Sequence, residues 1–146
     1  MPLTRTPHWA TREFHQFLLA RAKTPFAWGS NDCCLFPADA ILAFTGVDLA
    51  TDFRGKYHDE ASAFALIKSI TGGTTAADAA AYCATKHGLV ERAHPLTAQR
   101  GDLVVIGNGT SLIAGIVHLN GRHVISVGES GLLRLSILNV KRAWAV

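Results

Sequence analysis

The sequence predicts an α+β fold, with helices first and an antiparallel sheet after them. Three observations carry that prediction. Capped stretches with helical spacing fill roughly the first 88 residues. From Leu103 onward the apolar pattern changes to short β-rich runs. Two of those runs flank Asn120-Gly121, a strong local signal for a hairpin. At 146 residues the chain has the length of one domain, 1–146, large enough to bury a proper core. It contains no repeat, linker or low-complexity segment.

Phe14, Phe17 and Leu18, followed by a basic end, predict a first helix over about residues 9–23, closed by Pro25. Ser30, Asn31 and Asp32 are all N-cap formers, and "CCLFPADAILAFTG" then runs helically to Gly46 as its C′ residue. Pro37 lies a turn inside and removes the bond to the Cys33 carbonyl, which predicts an irregular first turn. After the polar connector "VDLATDFRGKY", Asp59 caps "EASAFALIKSI", which Gly72-Gly73 ends. Thr75 and Asp78 then form a capping box for "AADAAAYCATKH", and His87 in its last turn suits the helix dipole. Leu103–Ile106, the hairpin "SLIAGIVHLNGRHVISVG", "GLLRLSIL" and "RAWAV" supply the strands. Gly107-Asn108-Gly109 reads as a turn and not as a phosphate loop, because no helix follows it.

Composition narrows the functional classes. Nearly half of the residues are apolar and 17% are charged, a globular balance that suggests surface covered by partners. The formal charge of +3 comes from scattered Lys and Arg without aromatic interleaving, so nucleic-acid binding is not expected. No stretch approaches 18 consecutive apolar residues, so no membrane span is expected, and no signal-type apolar region opens the chain. Three cysteines, two of them adjacent, make no disulfide framework and fit synthesis in a reducing compartment. Cys83 and His87 share a helix face, but no C-x-x-C or H-x-x-x-H pair accompanies them. Neither a metal nor another cofactor is expected.

The stretch "FAWGSNDCCLF" carries the chemistry. A thiol at a helix N-terminus is primed to become a thiolate, and Cys33 stands there. Cys34 points about 100° around the helix and reads as small apolar filler. A cysteine nucleophile also needs a base. A tight Asn120-Gly121 turn pairs Leu119 with Arg122, His118 with His123, and Ile116 with Ile125.

"WGSNDC" opening a helix, then "RGDLVVI", then a hairpin, resembles the NlpC-type papain-like cysteine peptidases, which cleave bacterial cell-wall peptides. A resemblance over nearly the whole chain, in "FAWGSNDCCLFPADAILAFTGVDLATDFRGKY", "AQRGDLVV", "AGIVHLNGR" and "AWAV", is to small NlpC-like proteins of tailed-phage tail modules. It implies a papain-like fold with Cys33 as nucleophile. Asp32 and Cys34 then form the helix N-terminus that stabilises an oxyanion, with Trp28 preceding the nucleophile. It also implies residence in the virion tail after synthesis in the bacterial host cytoplasm, with tail-hub and tail-tip proteins as partners.

The resemblance puts Ile113 where the family carries its general-base histidine, and isoleucine accepts no proton. His118 and His123 are substitute candidates, but they lie five residues along the strand, roughly 16–17 Å away at ~3.3 Å per residue. A solvated hairpin edge is the favoured reading for both. Arg54 and Tyr57 in "DFRGKY" either line the groove beside Cys33 or, for Arg54, anchor the connector to Asp48 or Asp52. Two functions follow. One is a tail-tip or baseplate component that keeps a peptidase-like fold for assembly, with impaired or absent catalysis. The other is an active cysteine peptidase or amidase that opens host peptidoglycan during genome delivery, with an acyl or amide hydrolase on another substrate as a variant. The expectation leans to the first.

Overall fold

The structure is a computed structural model and describes residues 3–146. Its four α-helices come first: α1 (Glu13–Arg21), α2 (Leu35–Thr45), α3 (Glu60–Thr71) and α4 (Ala76–Lys86). Six strands follow: β1 (Val90–Glu91), β2 (Leu103–Asn108), β3 (Ser111–Val117), β4 (His123–Gly128), β5 (Gly131–Ser136) and β6 (Val140–Ala145). They form one antiparallel sheet in the order β1-β6-β2-β3-β4-β5. The α+β expectation is met. Among the described residues no helix is long and apolar enough to cross a membrane.

Local chemistry accounts for most boundaries. Asp59 with Ser62, and Thr75 with Asp78, form reciprocal capping boxes that start α3 and α4. Gly46 and Gly72 end α2 and α3 in the left-handed conformation that glycine adopts without a Cβ clash. His87 closes α4 with its ring Nδ1 3.0 Å from the Cys83 carbonyl. The first helix is shorter than its spacing predicts. Residues 7–12 are turns, and Arg12 at the N-cap offers no side-chain hydrogen bond.

The sheet is apolar on both faces. Leu103, Val105, Ala114, Ile116, Ile125 and Trp144 pack against Phe14 of α1, Phe36 and Phe44 of α2, and Ala80 and Ala84 of α4. Phe14, Phe36 and Phe44 are fully buried, each stabilising by about 1.5–3 kcal/mol through area removed from water. On the opposite face Val104, Ile106, Val117, Val124, Val140 and Ala143 cluster, with Ile113, Leu135 and Ile137 at their margin. A 3-10 turn at Ile137–Asn139 carries the chain from β5 at one edge across to β6, and the Ile137 N–H donates to the Arg122 carbonyl (3.0 Å). A smaller cluster holds α3 and the connector to the rest: Leu35, Phe53, Tyr57, Ala63, Ile67 and Ala79.

The β3–β4 hairpin keeps the predicted register but not the predicted turn. Ile116 pairs with Ile125 and Val117 with Val124, and the His118 N–H donates to the His123 carbonyl (2.8 Å). The two-residue turn is replaced by a four-residue loop in which the Gly121 N–H donates to the His118 carbonyl (2.9 Å). Asn120 explains the change: its Oδ1 accepts from the Arg122 and His123 N–H groups (2.8 and 3.1 Å), closing the loop from inside.

The outer strands are modest. On one side β1 has only two residues, pinned by the Arg142–Glu91 fork across β6 (2.9 and 2.8 Å). On the other, the Leu132 N–H of β5 donates to the Ala22 carbonyl just past α1 (3.3 Å). Gly131 lies so close there that a Cβ would stand 2.4 Å from the same oxygen.

Candidate functional site

The site begins with Asp32, the residue that starts the central helix. Its Oδ1 accepts from the N–H groups of Cys34 (3.0 Å) and Leu35 (2.9 Å), and its carbonyl accepts from Phe36 (2.8 Å). That makes Asp32 the N-cap and places Cys33 in the first position of the turn. Regular helix begins only at Leu35, as expected with Pro37 unable to donate to the Cys33 carbonyl. The second carboxylate oxygen, Oδ2, accepts from the Gly29 N–H (3.0 Å) and from the Tyr57 hydroxyl. Asp32 is 1% exposed, so these contacts replace the water it gave up. Gly29 has φ +82°, and a Cβ there would stand 2.6 Å from the Tyr57 carbonyl; only glycine lets this loop close over the connector.

The Cys33 thiol reaches the sheet where β3 and β4 part. Their paired register stops at Ile116↔Ile125. Beyond it the Ala114 carbonyl accepts from the Ser126 hydroxyl (2.8 Å) instead of from a strand N–H. Backbone hydrogen bonding from Ala114 reaches the Cys33 sulfur. The Ser126 hydroxyl thus stands in for one missing rung of the ladder. Gly115 permits the crowding beside this break, since a Cβ would meet Val124 Cγ1 at 2.6 Å.

Electrostatics divides the two adjacent thiols. Donation from Cys34 lowers the Cys33 thiol below its ordinary value, helped by the backbone N–H groups of Ala114 and Cys33 and opposed by burial and by the Asp32 charge. Cys34 is pushed well up by the same hydrogen bond and by burial. Burial likewise pushes Cys83, across a small apolar cavity from Cys34, up to about 12. Burial, then the Asp32 contact, raises the Tyr57 hydroxyl. Cys33 is therefore the thiolate-prone sulfur of the three, which are all free.

Above Cys33 opens a cleft of about 560 Å³. Trp28, Phe26 and Phe64 wall one side, and Leu112 and Ile113 of the β2–β3 hairpin wall the other. Ile113 lines the same cleft as Cys33, but along β3 it alternates with Ala114 and Ile116 and packs into the far-face cluster. Among the described residues no histidine and no carboxylate lines this cleft.

The expected residues divide accordingly. Cys33, Cys34, Trp28 and Tyr57 come together in a pocket under the cleft, and Asp32 caps the helix beside them. Cys34 does not offer the free oxyanion donor expected of it, because Asp32 already occupies its N–H. His118 lies instead in a separate groove between α1 and β5, with His15, Leu132 and Arg134. Its Nδ1 accepts from the Asn120 N–H (3.0 Å), and His123 Nδ1 lies 2.9 Å from the Asn120 amide. Neither histidine borders Cys33. Arg54 is not a groove residue either: it forks onto Asp48 (2.8 and 3.0 Å) and reaches Asp39 on α2 (2.7 Å), an anchor for the connector. Asp52, the other anchor considered, goes to Tyr82 and Lys86.

Phe64 and Leu112, exposed on opposite walls, carry no sequence signal that separates them from ordinary surface residues. Thr74, at the start of α4, also lines the cleft. Among the described residues no group of three His, Cys, Asp or Glu side chains is placed to hold a metal ion.

No curated protein and no solved structure matches the chain. A family model does, described as a domain of unknown function, DUF6950, and the match runs over residues 4–146. Extending from ahead of α1 through β6, it takes in the Asp32–Cys33 helix start and both walls of the cleft, and the chain belongs to the DUF6950 family.

Proposed function

We propose that this chain is an assembly component of a phage tail tip or baseplate, built on an NlpC-type papain-like fold whose catalysis is impaired or absent. The observation that carries the reading is the surroundings of the Cys33 sulfur. Among the described residues neither a histidine nor a carboxylate lines the cleft it borders, so no side chain there can take a proton from a nucleophile and return it to a leaving group. The occupied Cys34 N–H removes a second catalytic element. A thiol at the start of a central helix, set against an antiparallel sheet, supports the papain-like assignment. The tail location and the tail-hub partners rest on the sequence resemblance alone.

The alternative, a cysteine peptidase or amidase acting on peptidoglycan, is favoured by one observation: the downward shift of the Cys33 thiol. The test is a zymogram on purified cell wall with the native chain and Cys33→Ala. The expected result is no clearing by either. Clearing by the native chain that disappears in the variant overturns the non-catalytic reading.

A further inference from the structure

The cleft above Cys33 has a lining that its thiol does not explain. Among the described residues none that bears a formal charge borders it, although 17% of the chain is charged. One wall is aromatic: Trp28 meets Phe26 edge-on at 4.9 Å and Phe64 at 6.0 Å, and Phe64 is 37% exposed. The facing rim is polar but neutral, formed by Asn108, Thr110 and Ser111 at the tip of the β2–β3 hairpin.

Those rim side chains contrast with the short polar groups that are tied up inside the protein. Asn31, Ser62, Thr75, Asn120 and Ser126 are each committed to a hydrogen bond within the protein. Asn108, Thr110 and Ser111 make no side-chain hydrogen bond among the described residues, yet they share a cleft with a row of aromatic rings. An apolar surface facing a set of uncommitted donors and acceptors is the lining of a ligand site.

From this lining we infer that the cleft binds an uncharged oligosaccharide. A sugar ring has an apolar face of C–H groups that packs on aromatic rings, and an equatorial fringe of hydroxyls that needs partners of both kinds. Hydroxyl and amide side chains supply donor and acceptor together. A carboxylate- or phosphate-bearing ligand would enter without a counter-charge and lose its hydration. The volume of about 560 Å³ falls within the range of small-ligand clefts. The inference stands on the cleft alone and holds whether or not the thiol reacts.

The experiment is titration of the full-length native protein with maltotriose, cellotriose and triacetylchitotriose, followed by calorimetry and by amide chemical shifts. Saturable binding of at least one is expected, with the largest shifts at Phe64, Ser111 and Leu112. Ser111→Ala removes one hydrogen bond from an exposed hairpin tip and is expected to weaken binding about five-fold. Phe64→Ala removes the outer ring and is expected to weaken it about five- to ten-fold. Binding by a native protein that clears no cell wall in the zymogram supports a site independent of thiol chemistry, so loss of the hydrolase reading leaves this one standing. Three outcomes overturn it: no saturable binding of any of the three sugars, shifts confined to other surfaces, or binding of the uncharged peptide acetyl-Ala-Leu-Ala-amide at this cleft with none by the sugars.

Discussion

Cys33 sits between opposed influences, and the balance is set by its neighbour. Its largest lowering influence is the Cys34 thiol, while burial and Asp32 pull the other way. Iodoacetamide is therefore expected to modify Cys33 with a midpoint below the ordinary thiol range of about 8.5, while Cys34 and Cys83 stay unmodified in the native protein. In Cys34→Ala the donor is gone, and the Cys33 midpoint is expected to rise. An unchanged midpoint, read by mass spectrometry of the alkylated peptides, removes Cys34 from the account. This much was legible in sequence: a run of N-cap formers before a cysteine states where a helix starts and which sulfur stands there. The Tyr57 hydroxyl on Asp32 was not legible, since it joins residues 25 apart through a connector with no periodicity. Nor was the fate of Arg54, for which the sequence offered several carboxylates and the fold chose Asp48 and Asp39.

Among elements, the start of α2 concentrates four hydrogen bonds on one side chain. Asp32→Ala withdraws the cap from Cys34 and Leu35 and leaves the Gly29 N–H and the buried Tyr57 hydroxyl without their acceptor. A lost cap costs about 0.5–2 kcal/mol and an orphaned buried donor about 1–3 kcal/mol. Urea denaturation is expected to show a loss of at least 2 kcal/mol, on the order of that sum. A loss under about 0.5 kcal/mol, the size of a bare surface change, would sink this role for the carboxylate. Capping boxes, helix-ending glycines and the β3–β4 register were readable because each depends on neighbours in sequence. The strand β1 was missed because two residues carry no pattern, and its pairing is set by β6, more than fifty residues on. The parting of β3 from β4 was missed for a related reason: the register ends at Ile116↔Ile125, and a side chain, the Ser126 hydroxyl, takes the next carbonyl.

At the scale of the molecule, Asp102 is the principal tie. It is fully buried. In the fold it accepts from Arg92 (2.9 and 3.3 Å), from the Gln99 N–H (2.8 Å) and from the Val146 N–H (3.3 Å), with Arg5 at 3.6 Å. It thereby joins the segment before α1, the β1–β2 connection and the end of β6. Asp102→Ala leaves Arg92 without its carboxylate and is expected to cost about 3–5 kcal/mol in urea denaturation. Alkali attacks the whole fold by another route. Cys83 is held protonated, with its value raised from 9.0 to about 12, and Cys34 and Tyr57 are raised too. A raised folded-state value stabilises fully below the unfolded-state value and is lost as pH climbs through the folded one. The urea midpoint is thus expected to fall between about pH 9 and 12, and less steeply in Cys83→Ala. Equal slopes in both proteins would remove Cys83 from the effect. The sheet's margins have a further consequence. With an outermost rung two residues long on one side and a helix end clamped over the start of the other, part of each margin is closed to a foreign strand. Those stretches of the margin are therefore expected to seed no pairing between crowded copies.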